Sequence, residues 1–182
     1  MPAGFIPPCQ PKVAKRPPAG SGWVHELKHD GYRLQIHARD GRVRLYTMNG
    51  TNWSDRYPRI ADDAARIKGD ANIDAEVVCL DSKGIAQFEL LHNRGNDDAA
   101  LALAFDRFVL DGDDLRRRPL LERKNALARL LIRSRGGIQY VEHADDYAER
   151  MFAAVCELGL EGIVSKRRTS VYRSSPRKAG SR

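Results

Sequence analysis

The stretch Glu26-Leu27-Lys28-His29-Asp30-Gly31-Tyr32-Arg33 gathers groups that can handle an anion. Lys28 ends one alternating segment, Asp30-Gly31 is a turn pair that glycine enters without steric penalty, and Arg33 stands in the next alternating segment. An amine and a guanidinium brought together by a tight turn can grip one anionic group from two sides, which is phosphate-handling geometry. Lys28 can also serve as a nucleophile if it loses its proton near neutral pH. Nearby cations such as Arg33 and Lys166, or a bound metal, favour the neutral amine. The rival reading is a solvated lysine beside an ordinary turn, so the string gains weight only from companions.

Those companions follow in order: Asp74-Ala75-Glu76-Val77-Val78, then Phe105-Asp106-Arg107-Phe108-Val109-Leu110-Asp111-Gly112, then Glu161-Gly162-Ile163-Val164-Ser165-Lys166. Together with the lysine string they resemble the covalent nucleotidyltransferase series of ATP-dependent DNA ligases. Phe5-Ile6-Pro7-Pro8, Gly159-Leu160-Glu161-Gly162-Ile163-Val164-Ser165-Lys166-Arg167 and Tyr172-Arg173-Ser174 are similar, more narrowly, to the ligase domain of bacterial non-homologous end-joining ligases.

The resemblance implies an α+β, ATP-grasp-like adenylation domain with antiparallel sheets and flanking helices around a nucleotide cleft. It implies a lysyl-AMP intermediate, transfer of AMP to the 5′-phosphate of nicked DNA, and sealing by the 3′-hydroxyl. Carried over, Lys28 is the nucleophile, Glu26 lies beside adenine, Arg33 contacts the ribose and phosphate side, and Phe105 stacks on the base. Glu76 holds a ribose hydroxyl or a metal, Glu161 ligates the catalytic metal, and Lys166 faces phosphate. ATP and Mg²⁺ or Mn²⁺ are the implied cofactors. Nicked or broken double-stranded DNA and end-joining repair proteins are the implied partners.

The residue chemistry agrees with these roles. A base needs a flat apolar surface such as Phe105, and polyphosphate transfer needs a hard divalent cation on carboxylate oxygen, here Glu76 and Glu161. Arg33 and Lys166 supply fixed positive charge for the developing charge at phosphorus. The plain alternative for Phe105 is core packing. Asp74, on the same face as Glu76, reads as a turn or cap residue and is set aside, and Gly162 reads as a close approach of backbone to ligand. The five histidines share no spacing and read as structural or surface residues.

Two positions depart from the family. Arginine is common there where Met48 stands, and the usual Trp and Lys-x-Lys strand do not follow Tyr172-Arg173-Ser174. The expected organisation is therefore an irregular Pro-rich basic arm over 1–22, an adenylation domain over 23–174, and an atypical basic tail over 175–182 without the oligonucleotide-binding barrel. Impaired activity from a truncated terminus is the matching expectation. An RNA ligase, a capping-type nucleotidyltransferase or a non-catalytic DNA-binding remnant is the alternative.

Positioning these groups requires particular elements. Period-two alternation predicts strands over 23–28, 32–37 and 43–47, the last two joined as an antiparallel hairpin at Asp40-Gly41. A β-branched stretch predicts a strand over 73–80, and apolar runs predict strands over 101–110, 138–141 and 163–166. Helices are expected over 58–67, 88–94, 120–133 and 145–158, with Pro58 and Pro119 at tolerant first-turn positions. The antiparallel start argues for α+β over a doubly wound sheet.

The 182 residues carry 31 Lys and Arg against 24 Asp and Glu, a net charge of +7. All of that excess lies in residues 162–182, which hold seven basic and no acidic side chains, so residues 1–161 are neutral overall. A 42% hydrophobic share supports a real core and excludes wholesale disorder. No apolar run is long enough to span a membrane and no signal peptide is visible, so a cytoplasmic, nucleoid-associated protein is expected. Cys9, Cys79 and Cys156 show no zinc or disulfide spacing and read as inert thiols.

Overall fold

The computed structural model describes residues 1–174, and the expected tail over 175–182 lies outside them. In chain order the elements are β1 (Trp23–Lys28), β2 (Tyr32–Arg39), β3 (Arg42–Thr47), α1 (Pro58–Ala64), β4 (Ala71–Val78), α2 (Phe88–His92), β5 (Leu101–Leu110), β6 (Asp113–Asp114), α3 (Leu120–Leu131), β7 (Ile138–Tyr140), α4 (Ala148–Glu157) and β8 (Gly162–Arg167). Short 3-10 turns occupy Arg94–Ala99 and Leu115–Arg117. The larger sheet runs β3-β2-β4-β5-β6, with β7 also on β5, and the smaller one is the pair β1-β8. Every pairing is antiparallel except β5 with β7, which is parallel.

Alternation in β2 and β4 makes two unlike faces. Leu34, Ile36 and Ala38 with Ile73, Ala75 and Val77 meet Tyr57, Ile60, Leu91 and Leu127 from the helices in the main core. The opposite face carries Arg33, Gln35 and His37 on β2 and Asn72, Asp74 and Glu76 on β4, and Gln35, Asn72 and Asp74 are buried although polar. The Pro-rich arm covers it. Gln35 pairs with both the amide and the carbonyl of Ile6, Asn72 donates to the Gly4 carbonyl at 3.3 Å, and Arg33 donates to the Cys9 carbonyl. The Tyr172 hydroxyl accepts from the Cys9 amide at 2.8 Å. The arm carries no helix or strand up to Gly22, and its backbone partners Gln35 and the Asn72 amide nitrogen, while Asn72 Oδ1 is buried without a hydrogen-bond partner among the described residues.

β5 is irregular at two points. Opposite β4 the register steps from Asp106 to Ala104 and from Val109 to Arg107, so Phe105 and Phe108 are the extra residues of two bulges. A bulge breaks strict alternation and re-aims the side chain it carries. Phe108 accordingly packs on Tyr172, with ring centroids 4.2 Å apart, while Phe105 joins a second cluster with Val78, Leu101, Leu103 and Val141.

Several element ends differ from expectation. β4 starts two residues early at Ala71, and α4 starts late because Tyr147 adopts a left-handed φ of 64° just before Ala148. Asp145 therefore lies outside the helix and pairs with Arg168 at 3.0 Å. Asp74 is neither a turn nor a cap: it is fully buried in mid-strand. Gly31 is needed for close packing, because a Cβ there would collide with the Val77 carbonyl. Gly162 is needed for its φ of 146°, with open space around it. The sequence suggested the reverse reasons for the two glycines.

Asp63 of α1 fastens the segment entering β7. Its carboxylate accepts from Ser134 Oγ at 2.6 Å and from the amides of Arg135, Gly137 and Ile138 at 3.0, 2.9 and 2.9 Å. Burial alone would raise its pKa, but these donors outweigh burial and lower it. A lowered carboxylate pKa stabilises the fold above the unfolded-state value and loses that contribution as pH falls through the folded one. Asp63→Asn should destabilise the protein by about 2–3 kcal/mol at pH 7, since an amide cannot accept the whole set. Denaturant titrations at pH 7 and pH 3 should show the gap to wild type narrowing at the lower pH.

Candidate active site

A cavity of about 780 Å³ lies between the two sheets and is lined by Glu26, Lys28, Arg33, Glu76, Phe105, Glu161 and Lys166 among others. All seven side chains singled out from sequence thus line one cavity, Arg33, Glu76 and Phe105 from the larger sheet and Glu26, Lys28 and Lys166 from the smaller. The β1-β8 register explains four of them. Glu26 faces Val164, Val24 faces Lys166 and Lys28 faces Gly162, so Glu26, Lys28 and Lys166 share one face, with Glu161 just past the ladder's end beside Lys28. The reverse face holds His25, whose Nδ1 lies 2.9 Å from Ser165 Oγ.

Lys28 Nζ donates to Glu161 Oε1, and both side chains remain more than a third exposed. Glu26 is nearly inaccessible. Its Oε1 accepts from Lys124 Nζ at 2.7 Å and its Oε2 from Lys166 Nζ at 2.6 Å. Phe105 presents its ring to two cations: Lys166 Nζ is 4.5 Å and the Arg33 guanidinium carbon 5.3 Å from its centroid. A ring so placed is a flat surface for a base, held in register by the cations around it.

Arg33 forks onto Asp74, Nε to Oδ1 at 3.0 Å and Nη2 to Oδ2 at 2.6 Å. Burial opposes its charge, but Asp74 prevails and raises its already high pKa. Glu76 is paired across the ladder with Arg33, and among the described residues its carboxylate accepts no hydrogen bond. Burial pushes its pKa from 4.5 up to about 7, with Arg33 pulling against and Asp74 adding to the rise. Asp106, next to Phe105, forks onto Arg123 at 2.8 and 3.0 Å, and Arg123 also donates to the carbonyls of Arg118 and Ser170.

Sequence reasoning passed over Arg123 and Tyr172, which line the cavity, and Asp74 and Lys124, which stand behind it and hold Arg33 and Glu26. For Lys124 a signal existed: Leu120, Lys124 and Leu127 fall at i, i+4 and i+7, the buried stripe of α3. For Asp74 it was the shared face with Glu76. No three His, Cys, Asp or Glu side chains cluster closely enough among the described residues to form a metal site by themselves. Glu76 and Glu161 both line the cavity and carry the oxygen donors that a hard divalent cation takes beside phosphate and water. Among the same residues no helix is long and apolar enough to cross a membrane.

Residues 11–180 match the family described as the ATP dependent DNA ligase domain. The chain belongs to that family. Against the multifunctional non-homologous end joining protein LigD of Pseudomonas aeruginosa, the ligase domain is 36% identical over 175 residues, covering 93% of this chain and 21% of that protein. The LigD protein of Mycobacterium tuberculosis is 34% identical over 160 residues, covering 86% and 21%. The crystal structure of the M. tuberculosis LigD ligase domain superposes with a TM-score of 0.74 at 32% identity, covering 85% of this chain and 51% of that one. A mycobacterial DNA ligase D complexed with ATP and MES gives 0.75 at 33%, covering 87% and 52%. The chain thus spans about a fifth of the LigD proteins and about half of the solved ligase domains. The expected α+β adenylation fold is borne out by these superpositions.

The raised pKa of Glu76 has a stability consequence. Its folded value lies above the unfolded one, so the protonated carboxyl favours the fold; that contribution is complete below pH 4.5 and is lost as pH rises to about 7. Glu76→Gln, neutral throughout, should be more stable than wild type at pH 8 by on the order of 2 kcal/mol, after discounting for solvent screening. Denaturant titrations in chelator-treated buffer at pH 4 and pH 8 check this, with the two proteins converging at the lower pH.

Proposed function

We propose that this ligase domain activates ATP on Lys28 and passes AMP to the 5′-phosphate of nicked or broken duplex DNA in bacterial strand-break repair. The observation that carries the reading is the meeting of Lys28 and Glu161 at one end of a cavity whose wall also holds Glu26, Arg33, Glu76, Phe105 and Lys166. We assign residues 23–174 as the adenylation domain, with residues 1–22 as an arm docked on its polar sheet face.

Lys28 Nζ attacks the α-phosphorus; an N–P bond forms, the P–O bond to pyrophosphate breaks, and pyrophosphate leaves with the electron pair. The attacking nitrogen needs its lone pair, so its proton must go first, and Glu161 Oε1 is the acceptor in contact with it. Phe105 offers the base its flat face, Glu26 lies at the base's edge, and Glu76 takes a ribose hydroxyl. Arg33, fixed by Asp74, lies toward the ribose and phosphates, and Lys166 supplies positive charge at phosphorus. Glu76 and Glu161 would hold Mg²⁺ or Mn²⁺, which when bound neutralises phosphate charge as a Lewis acid. AMP then passes to a DNA 5′-phosphate, and a 3′-hydroxyl displaces it to join the strand, with end-joining repair proteins as partners at broken ends.

Incubation with α-labelled ATP or GTP and Mg²⁺ or Mn²⁺ tests the first step. Label from ATP should survive denaturation and alkali but not acid, as a phosphoramidate does, and should fall more than a hundredfold in Lys28→Ala. Label from GTP would move the domain toward capping chemistry. No label from either nucleotide would overturn the reading.

A further inference from the structure

Lys124 takes no part in the chemistry above, yet it is fully buried in mid-α3 and does not line the cavity. A lysine is rarely buried without a charged partner, because desolvating an ammonium is expensive. Here Nζ donates to Glu26 Oε1 at 2.7 Å and to the Val141 carbonyl at 3.1 Å, and it lies 4.6 Å from the centroid of the Tyr140 ring. An ammonium has three N–H donors. Two carry hydrogen bonds and an aromatic face meets the group as well, so Lys124 acts through Glu26 and touches no ligand.

The two oxygens of Glu26 therefore have different freedom. Oε1 is tied to a lysine with no exposed surface, while Oε2 is tied to Lys166, whose side chain is 21% exposed and lines the cavity. With Lys166 alone, the carboxylate and ammonium would form a single pair free to swing together. With Lys124 holding the other oxygen, the carboxylate is anchored at both ends. A carboxylate oxygen can accept two hydrogen bonds, so Oε2 can serve Lys166 and one further donor.

We propose that Lys124 is a positioning residue for base discrimination: it fastens Glu26 through Oε1 so that Oε2 faces the cavity as a fixed anionic acceptor. Such an acceptor suits the exocyclic amine of adenine and repels the carbonyl oxygen that guanine carries at the same position. Sites built to hydrogen-bond a particular donor reject analogues that lack it far more strongly than apolar pockets do. The inference rests on the reading of Glu26 as the neighbour of adenine.

Lys124→Met removes the charge at similar volume. Affinity for ATP and GTP and self-labelling by each should show the ATP:GTP preference falling at least tenfold, read as the ratio of the two nucleotides on the same variant so that a loss of rate common to both cancels. In a Glu26→Gln background the same substitution should alter the preference less than twofold, because its route is already cut. A preference held within twofold in Lys124→Met, or independent effects in the double variant, overturns the inference while leaving ATP labelling of Lys28 intact. Absence of both ATP binding and label in the wild type overturns the functional reading along with it. A measurement on the wild type covers the case of a variant that does not fold. On ¹⁵N-lysine protein, ATP should shift the Lys166 Nζ resonance and leave a slowly exchanging Lys124 Nζ resonance in place. A displaced Lys124 resonance would overturn the inference as well.

Discussion

Two adjacent residues of one helix hold the two sheets in register. Arg123 grips Asp106 of the larger sheet and Lys124 grips Glu26 of the smaller one, and all four side chains are nearly or wholly inaccessible. Buried ion pairs are not strong net stabilisers, because desolvation offsets most of the attraction. Their force lies in the asymmetry: once buried, neither partner can be left alone without a penalty of several kcal/mol. Each pair therefore acts as a positional constraint. β1 sits where Lys124 requires Glu26, the Phe105 bulge sits beside the Asp106 that Arg123 requires, and the cavity is the space left between them. Backbone bonds add to the same seam, with His25 and Ala144 exchanging two at 2.9 Å.

The polar sheet face follows the same logic with neutral groups. Gln35 and Asn72 would cost free energy if buried unpaired; the arm relieves Gln35 with both the amide and the carbonyl of Ile6 and Asn72 Nδ2 with the Gly4 carbonyl. Prolines suit this task, since a chain with few backbone donors can cross a sheet face without forming a competing strand. Tyr172 closes the arrangement from the other end of the described chain, holding the Cys9 amide while its ring rests on Phe108. Arg33 thus answers to the arm and to Asp74 at once, which fixes its guanidinium beside Phe105 before any ligand arrives.

Much of this was legible in the sequence, and the part that was not has a common cause. Period-two alternation showed β1, β2 and β3, and apolar runs showed β5 and β8, because those signals are local. The seven cavity residues were legible because their strings occur in a family order, and the structure brings all seven to the lining of one cavity. What escaped were the partners: Asp74 for Arg33, Lys124 for Glu26, Arg123 for Asp106. Each pair joins residues at least 17 positions apart, and nothing in the local pattern says which charge will be buried or by whom. α3 was expected only as a helix over 120–133, and nothing local marks that two of its cations, Arg123 and Lys124, are buried. The Phe105 bulge was equally invisible, since a one-residue slip depends on the neighbouring strand and leaves no mark in composition.

Pairing also sorts the cations around the cavity into two kinds. Arg33 and Arg123 are forked onto carboxylates that are wholly or nearly buried, so a triphosphate cannot draw them away without exposing a naked anion in the interior. Lys28 and Lys166 are each held by a single carboxylate oxygen at partly exposed positions, and a phosphate oxygen can replace it there at little loss. The first kind defines shape and the second supplies charge that can be redirected. Glu26 stands between them, with one oxygen committed to the fixed set and the other to the exchangeable set. This division places the basic excess of the sequence in proportion. Five of its seven charges lie beyond Arg167, and among the described residues only Lys166 of the seven takes part in the pairing around Glu26, so the described site is ordered by how its cations are paired rather than by how many there are.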